Sequence, residues 1–378
     1  MLLCPINYLN CFLSTALIDL PSILGFLRYK LYPTMAPALT LPTPPPELEE
    51  APLQGLHVLD LPALYTRPRV EDLLSTLNRL ALAPTSWDKG GQGVVDPPGL
   101  SKWLTGIIAS PLKWIGNDEV KEVVWEAVST RLAERCGRTA MPSQTRTFQI
   151  PLPFSRKSIS ISLREPTLTA DNLGLKTWAS SYLLSKRLPL LDLPTFSSTA
   201  RALELGAGTG LVGLAAAVIF KIPVLLTDLP DIVPNLQHNA NTNSAPGTAI
   251  SVSVMDWREG VYEVVSEGEK YDLVLAADPL YSPEHPGLLV GMVGKWLKRG
   301  RHSRVVVEMP LRDGYSSERV DFRGRMEKAG LEIRSEGVET GVDDWGAGGE
   351  VKCWWSVWGW NGDCEFYSVG TSDDVGLD

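Results

Sequence analysis

Downstream of residue 68, apolar positions recur every three or four residues, which is the spacing of one face of an α-helix. This pattern predicts three helices, over residues 69–83, 99–115 and 118–135. The period then changes to an alternation of apolar and polar side chains, which is the period of a β-strand. It predicts a hairpin of two strands, at residues 148–152 and 159–163.

A third pattern begins near residue 200, where short apolar runs alternate with helical patterns. The runs predict strands at residues 200–205, 222–227, 249–255, 271–277 and 303–309. The segments after them predict helices at 211–220, 230–243, 285–299 and 317–329, and two last strands at 332–338 and 351–360. Such alternation is typical of a mostly parallel sheet with helices on both faces. The predicted fold class is therefore α/β, with a seven-stranded Rossmann-like sheet preceded by a helical region and a hairpin.

The two ends of the chain fall outside these patterns. Residues 1–34 are apolar, but prolines and polar residues interrupt the stretch and no basic region precedes it, so neither a spanning helix nor a signal peptide is predicted. Met35 looks like a more natural start, which makes the leading segment an extension. Residues 37–52 are rich in proline and predict an extended linker. The predicted division is a disordered extension and linker at 1–52, a helical region at 53–144, a catalytic domain at 145–366 and an acidic tail at 367–378.

The composition argues against several classes of protein. The 378 residues are 44% hydrophobic and 21% charged, as in an ordinary globular protein. The formal net charge of −9 argues against direct nucleic-acid binding, because gripping a phosphate backbone needs clustered Lys and Arg. Five scattered cysteines and four distant histidines predict neither disulfides nor a metal site. We expect a cytoplasmic monomer without a membrane anchor, acting on a protein or a small molecule.

The strongest chemical signal is a glycine-rich turn directly after the first predicted strand of the sheet. It reads Glu204-x-Gly206-x-Gly208-x-Gly210. Bare glycine backbone lets a ligand come close, and the helix that follows adds its N-terminal amides. The stretch from Gly208 to Gly213 also matches the dinucleotide fingerprint. Against a nicotinamide cofactor, Glu204 lies inside the strand and the remaining chain leaves no room for the catalytic domain of a dehydrogenase. The pattern favours a nucleoside cofactor with an amino-acid tail, whose binding residues include Glu204.

Further side chains follow the next strands at the same edge of the sheet, where open α/β sheets bind their ligands. Asp228 can accept hydrogen bonds from both hydroxyls of a ribose, or it can cap the following helix. Asp256-Trp257 suits an adenine ring, unless the indole is simply part of the core. Asp278 and Tyr281 follow the fourth strand, next to the small Ala277. They either line a pocket for an amine, or Asp278 caps a turn and Tyr281 packs in the core.

Four segments carry a family resemblance, and they occur in this order: Gly174–Trp178, Glu204–Gly210, Asp256-Trp257 and Asp278–Tyr281. Together they resemble the seven-strand S-adenosylmethionine-dependent methyltransferases of family 16, the protein-lysine methyltransferases, over residues 145–360. In the helical region, Leu64–Pro68 and the residues from Ser129 to Arg138 resemble the fungal branch that methylates lysines in translation elongation factors. The resemblance implies S-adenosylmethionine as cofactor and a protein substrate, with an elongation factor as the partner.

The resemblance also implies roles for individual residues. Those that contact the cofactor are Trp178, Gly206, Ala207, Gly208, Asp228, Trp257 and Ala277. Asp278 and Tyr281 line the lysine channel, Asp278 by positioning the amine and Tyr281 by shaping the channel. Pro279-Leu280 departs from the family, because it is similar to a signature of amino methyltransferases that act on adenine or glutamine. Two alternatives therefore stay open: a methyltransferase acting on nucleic acid or a small molecule, and a catalytically silent module that binds a partner through its helical region.

Overall fold

The computed structural model describes most of the chain from residue 58 onward, all of it within the unit Gln54–Asp378. The described residues are 58–82, 87, 96, 98–137, 140–152, 157–167, 173–245, 247–259, 265–342 and 349–362. The extension and linker predicted at 1–52, the start at Met35 and the tail at 367–378 lie outside them. Within these stretches, no helix combines the length and the apolar character needed to cross a bilayer.

Three helices form the first part of the described chain and pack around a core of their own. They are α1 (Val70–Arg79), α2 (Leu100–Ala109) and α3 (Asp118–Ala133), so the three predicted helices are confirmed, each shorter than expected. Helix α2 ends at Ala109 because the next residue precedes a proline, which disfavours helical backbone there. Helix α3 begins where the Asn117 side chain accepts a hydrogen bond from Glu119 N at 2.8 Å.

The predicted hairpin is present and longer than its apolar pattern indicated. Strands β1 (Gln144–Pro151) and β2 (Ser158–Glu165) pair antiparallel, with Phe148 opposite Ile161. The inner face of this hairpin is buried, whereas the outer edge of β2 receives side chains from a helix of the main domain. Asn243 Oδ1 accepts from Ser162 N at 2.9 Å. The hairpin is therefore fastened to the domain by polar as well as apolar contacts.

Seven strands form the main sheet, in the spatial order β5-β4-β3-β6-β7-β9-β8. They are β3 (Ala202–Leu205), β4 (Val224–Asp228), β5 (Ile250–Val254), β6 (Leu273–Ala277), β7 (Arg304–Pro310), β8 (Leu331–Val342) and β9 (Glu350–Trp360). The first five run parallel, and β9 inserts antiparallel between β7 and β8. The chain moves outward from β3 to β5 and then crosses back to β6, so β3 marks the switch point where ligands bind in such sheets. The α/β prediction is confirmed.

Helices cover both faces of this sheet. They are α4 (Ala179–Arg187), α5 (Leu211–Phe220), α6 (Val233–Thr242), α7 (His285–Trp296) and α8 (Ser316–Lys328). One core contains Leu184, Val212 and Leu236 from α4, α5 and α6. A second core, on the other face, contains Met292 and Phe322 from α7 and α8. Because both faces are covered, the central strands are buried on both sides, and they read as continuous apolar runs in the sequence.

Helix α4 was missed by the sequence analysis. Its buried side includes Ser180 and Ser185 as well as Tyr182 and Leu184, so polar residues occupy positions that face the core. Without an apolar stripe at helical spacing there is no amphipathic signal to find. The omission matters because Trp178, a predicted cofactor residue, directly precedes this helix.

Candidate active site

The glycine-rich turn joins β3 to α5 at the switch point. Gly206, Gly208 and Gly210 have φ angles of +68°, +56° and +92°, a backbone region that side chains rarely adopt. A Cβ atom on Gly210 would lie 2.8 Å from a methyl carbon of Leu236, and one on Gly208 would lie 3.0 Å from the carbonyl oxygen of Gly174. The glycines are therefore required by the turn itself, and they leave its backbone bare toward the edge of the sheet.

Two acidic side chains hold this turn by accepting hydrogen bonds from its backbone N–H groups. Glu204 Oε2 accepts a hydrogen bond from Gly213 N at 2.8 Å, and burial raises the pKa of Glu204 to about 8. Asp228 Oδ2 accepts from Gly208 N at 2.7 Å, and burial raises the pKa of Asp228. Asp228 keeps further lone pairs for a ligand, since each carboxylate oxygen can accept two bonds. The Glu204 side chain is directed at the first turn of α5, and the whole residue is only 1% exposed.

Two indoles flank the turn. A Cβ atom on Gly206 would lie 3.2 Å from the Trp257 ring, so this ring packs directly against the turn. On the other side, Trp178 Nε1 donates to the carbonyl oxygen of Leu173 at 3.2 Å, which fixes the ring just before α4. Ala277, the last residue of β6, is 9% exposed. These residues mark the carboxyl edge of the sheet at the switch point, where open α/β sheets form a crevice that binds ligands.

A polar chain that sequence reasoning missed ties the Trp178 segment to the turn. Glu165 Oε1 accepts from Thr177 N at 3.1 Å, and the Thr177 and Thr209 hydroxyl oxygens lie 2.8 Å apart. Asn239 Nδ2 donates to the carbonyl oxygen of Thr209 at 3.0 Å. The hairpin, the crevice and α6 are thus linked by hydrogen bonds between residues that lie far apart in sequence, so no local pattern marks them.

The segment after β6 faces the same crevice. Asp278 has a φ of +51°, unusual for a residue with a side chain, and its backbone N donates to Glu308 O at 2.8 Å. The Tyr281 ring packs edge-on against His285 at 4.2 Å between centroids, yet the residue is 58% exposed. Burial of its hydroxyl and the nearby carboxylates of Asp228 and Asp278 raise the pKa of Tyr281. The structure thus brings Asp228, Asp278 and Tyr281 to one place.

A guanidinium that the sequence did not mark also belongs to this place. Arg312 Nη2 lies 3.5 Å from Asp278 Oδ2, and the Arg312 guanidinium carbon lies 5.4 Å from the centre of the Trp178 ring. Arginine in a loop after a strand is common in any sequence, so its residue type carries no signal. Within the described residues, no three His, Cys, Asp or Glu side chains converge as a metal site.

Glu308 lies beside the crevice but beneath its surface. It pairs with Ala277 in the sheet and is 0% exposed. Burial, together with the negative charge of Glu339, raises the pKa of Glu308 to about 9, although Arg187 acts in the opposite direction. Glu308, within the strand predicted at 303–309, is therefore a buried acid, which stays protonated at neutral pH.

Replacing Glu308 by glutamine is expected to stabilise the protein by an amount that grows between about pH 5 and pH 9. In the unfolded chain the carboxyl ionises near 4.5, whereas in the folded protein it ionises near about 9. Over that range the unfolded state binds fewer protons, so the free energy of unfolding of the wild type falls as pH rises. Glutamine has no proton to lose. Urea unfolding at several pH values measures the difference.

The matched control for this experiment is Glu332→Gln, since Glu332 is half-exposed and pairs with Arg334 at the surface. We expect its effect on the free energy of unfolding to be small at every pH, as for exposed ion pairs in general. A stability difference for Glu308→Gln that stays constant across the pH range would contradict the assignment of a neutral buried acid.

Comparison with known proteins agrees with this geometry. The family model for lysine methyltransferases matches residues 155–327. Protein-lysine N-methyltransferase rrg1 of Schizosaccharomyces pombe is 33% identical over 316 residues, which cover 81% of this chain and 99% of that protein. Protein-lysine N-methyltransferase EFM2 of Saccharomyces cerevisiae is 38% identical over 251 residues, covering 61% of this chain and 58% of EFM2.

A shorter match reaches a mammalian protein. EEF1A lysine methyltransferase 3 of Mus musculus is 36% identical over 119 residues, which cover 31% of this chain and 48% of that protein. The match to rrg1 extends over nearly the whole of that relative, and the crevice holds the glycine turn and the acids that the family resemblance implies. This chain therefore belongs to the protein-lysine N-methyltransferases, which take their methyl group from S-adenosylmethionine.

Proposed function

We propose that this protein methylates a lysine side chain of a translation elongation factor. The observation that carries the proposal is the meeting of Asp278 and Tyr281 with the glycine turn and Asp228 at one edge of the sheet. The choice of substrate rests on the likeness of Leu64–Pro68 to the fungal elongation-factor branch and on the name of the mouse relative. We further propose that the protein acts as a monomer in the cytoplasm.

The crevice fits S-adenosylmethionine on structural grounds. The turn from Gly206 to Gly208 has no side chain larger than a methyl group, so the amino-acid tail can lie against its backbone. The Asp228 carboxylate is free to accept from ribose hydroxyls through its remaining lone pairs. The Trp257 ring offers an apolar face for the adenine, and Ala277 leaves space above β6. Trp178 would close the crevice from the side of α4.

Glu204 takes a different part in this proposal from the other acids. Its carboxylate bonds to Gly213 N and is buried below the turn, so we assign it to positioning the turn and the start of α5. The residue would act on the cofactor through the backbone that it holds.

The domain boundary between residues 144 and 145 remains a prediction. The separate hydrophobic core of α1, α2 and α3 supports it.

The acceptor lysine has to lose a proton before it can react. Its ammonium group has an ordinary pKa of about 10.4, so deprotonation costs about 4 to 5 kcal/mol at neutral pH. When bound, the cofactor would supply an electrophilic methyl group on a sulfonium sulfur to a neutral lysine nitrogen. Asp278 orients the amine, Tyr281 shapes an aromatic channel that disfavours the charged ammonium, and the proton leaves to water.

The experiment that tests this function is labelling of a cell lysate. The purified protein is incubated with S-adenosylmethionine carrying a labelled methyl group and with a fungal lysate, and the labelled species is identified by mass spectrometry. We expect one labelled elongation factor, modified at a lysine, and no label with Gly208→Arg. Label in an RNA or small-molecule fraction would favour the second acceptor class, and an unlabelled lysate in which the cofactor still binds would favour the silent module.

A further inference from the structure

Arg312 occupies a position between the two halves of the crevice. Its Nη2 lies 3.5 Å from Asp278 Oδ2, and its guanidinium carbon lies 5.4 Å from the centre of the Trp178 ring. The Arg312 side chain is 39% exposed, whereas that of Asp278 is 9% exposed. The guanidinium is thus the more exposed partner of the pair, and the carboxylate is the buried one.

Backbone contacts hold both partners of this ion pair. The carbonyl oxygen of Arg312 accepts from Arg319 Nη1 at 2.7 Å and from Tyr315 N at 3.2 Å. The backbone N of Asp278 donates to Glu308 O at 2.8 Å, and the left-handed φ of +51° aims its side chain away from the strand. An ion pair between two mobile surface side chains contributes little to stability. Here hydrogen bonds hold the backbone of both partners.

The charge of this pair matters for an amine nucleophile. A lone carboxylate beside a lysine favours the ammonium form, and the ammonium has no lone pair with which to attack. A guanidinium beside the carboxylate offsets its negative charge, because the guanidinium carries a permanent positive charge. Resting on the function proposed above, we propose that Arg312 is the charge partner of Asp278 that lets the bound lysine lose its proton near neutral pH.

Other ionisable groups face this pair and have to be considered. Tyr281 and Cys353 lie near Asp278, and these two are in turn surrounded by Asp228, Arg258, Glu308 and Glu339. Burial raises the pKa of Tyr281 and Cys353, and it raises the pKa of Glu308 to about 9, so these three stay neutral from pH 6.5 to about 8.5. Burial lowers the pKa of His285, next to Tyr281, which favours the uncharged imidazole. Glu204 has a pKa of about 8 and titrates in the same range, but it is unchanged in the Arg312 variants. A difference in the rate profile between these variants and the wild type therefore reports on the Asp278 and Arg312 charges and the bound lysine.

The test compares Arg312→Met, Arg312→Lys and the wild type. The measured quantity is kcat from pH 6.5 to 9.5, with the lysate protein that the wild type labels as the substrate. For Arg312→Met we expect the pH at which kcat rises to increase by about one unit, with no increase in KM. At pH 7 this is about a tenfold loss of kcat, and the loss disappears at the alkaline end of the range. Arg312→Lys keeps a positive charge and is expected to keep the profile of the wild type within about half a unit.

The matched control is Arg323→Met. Arg323 on α8 also pairs with a carboxylate, Glu336 at 3.1 Å, and also lies over an indole, Trp354 at 6.0 Å, but these partners are on the outer strands β8 and β9. Its rate profile is expected to be that of the wild type. An equal loss of kcat at every pH for Arg312→Met would make Arg312 merely structural and overturn the inference, as would an unchanged profile.

Calorimetric titration with S-adenosylmethionine distinguishes an effect of Arg312 on the acceptor amine from an effect on cofactor binding. We expect the Kd of Arg312→Met to stay within about threefold of the wild type, which is too small to explain a tenfold loss of kcat at saturating cofactor. A loss of affinity large enough to account for the rate would assign Arg312 to the cofactor through Trp178 and overturn the inference. If the wild type labels no protein at all, the proposed function fails and this inference falls with it, whereas an unshifted profile overturns the inference alone.

Discussion

Replacing Asp278 by alanine is expected to slow methyl transfer by about 1,000-fold while S-adenosylmethionine still binds. The side chain is 9% exposed and faces the crevice from the end of β6, where it orients the acceptor amine in the proposed function. Its loss leaves the amine without its acceptor and leaves the Arg312 guanidinium without its partner. The turn and the carboxylate of Asp228 are untouched. Single-turnover transfer to the labelled lysate protein gives the rate, and calorimetry gives the affinity for the cofactor.

The backbone at this position requires a second variant. Asp278 has a φ of +51°, and this left-handed conformation costs alanine about 1 to 2 kcal/mol. Asparagine tolerates the left-handed region and has the shape of aspartate, so Asp278→Asn separates the loss of charge from backbone strain. We expect Asp278→Asn to be as stable as the wild type to heat and still strongly impaired in transfer. Full turnover by either variant would remove Asp278 from the mechanism.

Replacing Gly208 by arginine is expected to weaken S-adenosylmethionine binding by more than about 100-fold, which is about 2.7 kcal/mol. Gly208 has a φ of +56°, and a Cβ atom there would lie 3.0 Å from the carbonyl oxygen of Gly174. The turn would have to move, which would break the bond of 2.7 Å from Gly208 N to Asp228 Oδ2. The long side chain would also enter the crevice. Calorimetric titration with the cofactor measures the effect, and methyl transfer is lost with it.

Gly247→Arg is the matched control for this variant. Gly247 has a φ of +89°, and no atom lies within 4 Å of the position of its Cβ. The same substitution therefore imposes backbone strain in the loop before β5 without crowding the crevice. We expect some loss of thermal stability and an unchanged affinity for the cofactor. Normal cofactor binding by Gly208→Arg would contradict the location of the cofactor at this turn.

The sequence predicted those features that depend on neighbouring residues. Strands buried on both faces read as apolar runs, and the turn after β3 reads as alternating glycines because its left-handed angles exclude other residues. The α/β fold followed from these signals, whereas the family and the cofactor followed from the resemblance of four segments to known methyltransferases. All three are confirmed. The lysine target and the roles of single site residues stay predictions, because they depend on a bound substrate and cofactor.

Features that depend on distant residues were missed or described only in part. Helix α4 has serines on its buried side, so its burial is decided by the sheet on which it packs. Glu308 follows an apolar run in the strand predicted at 303–309, but only its pairing between β6 and β9 shows that it is completely buried. The direction of the Glu204 carboxylate likewise depends on where α5 begins in space.

The amino-acid sequence by itself determined the succession of helices and strands, the glycine turn and the acids that follow the strands. These features arise from backbone conformation and side-chain period, which are properties of short segments. Only the tertiary structure decided the strand order, the burial of Glu308 and the pairing of Arg312 with Asp278 across β6 and β7. Those contacts join residues that are far apart in the chain, and their energies exist only once the sheet has assembled.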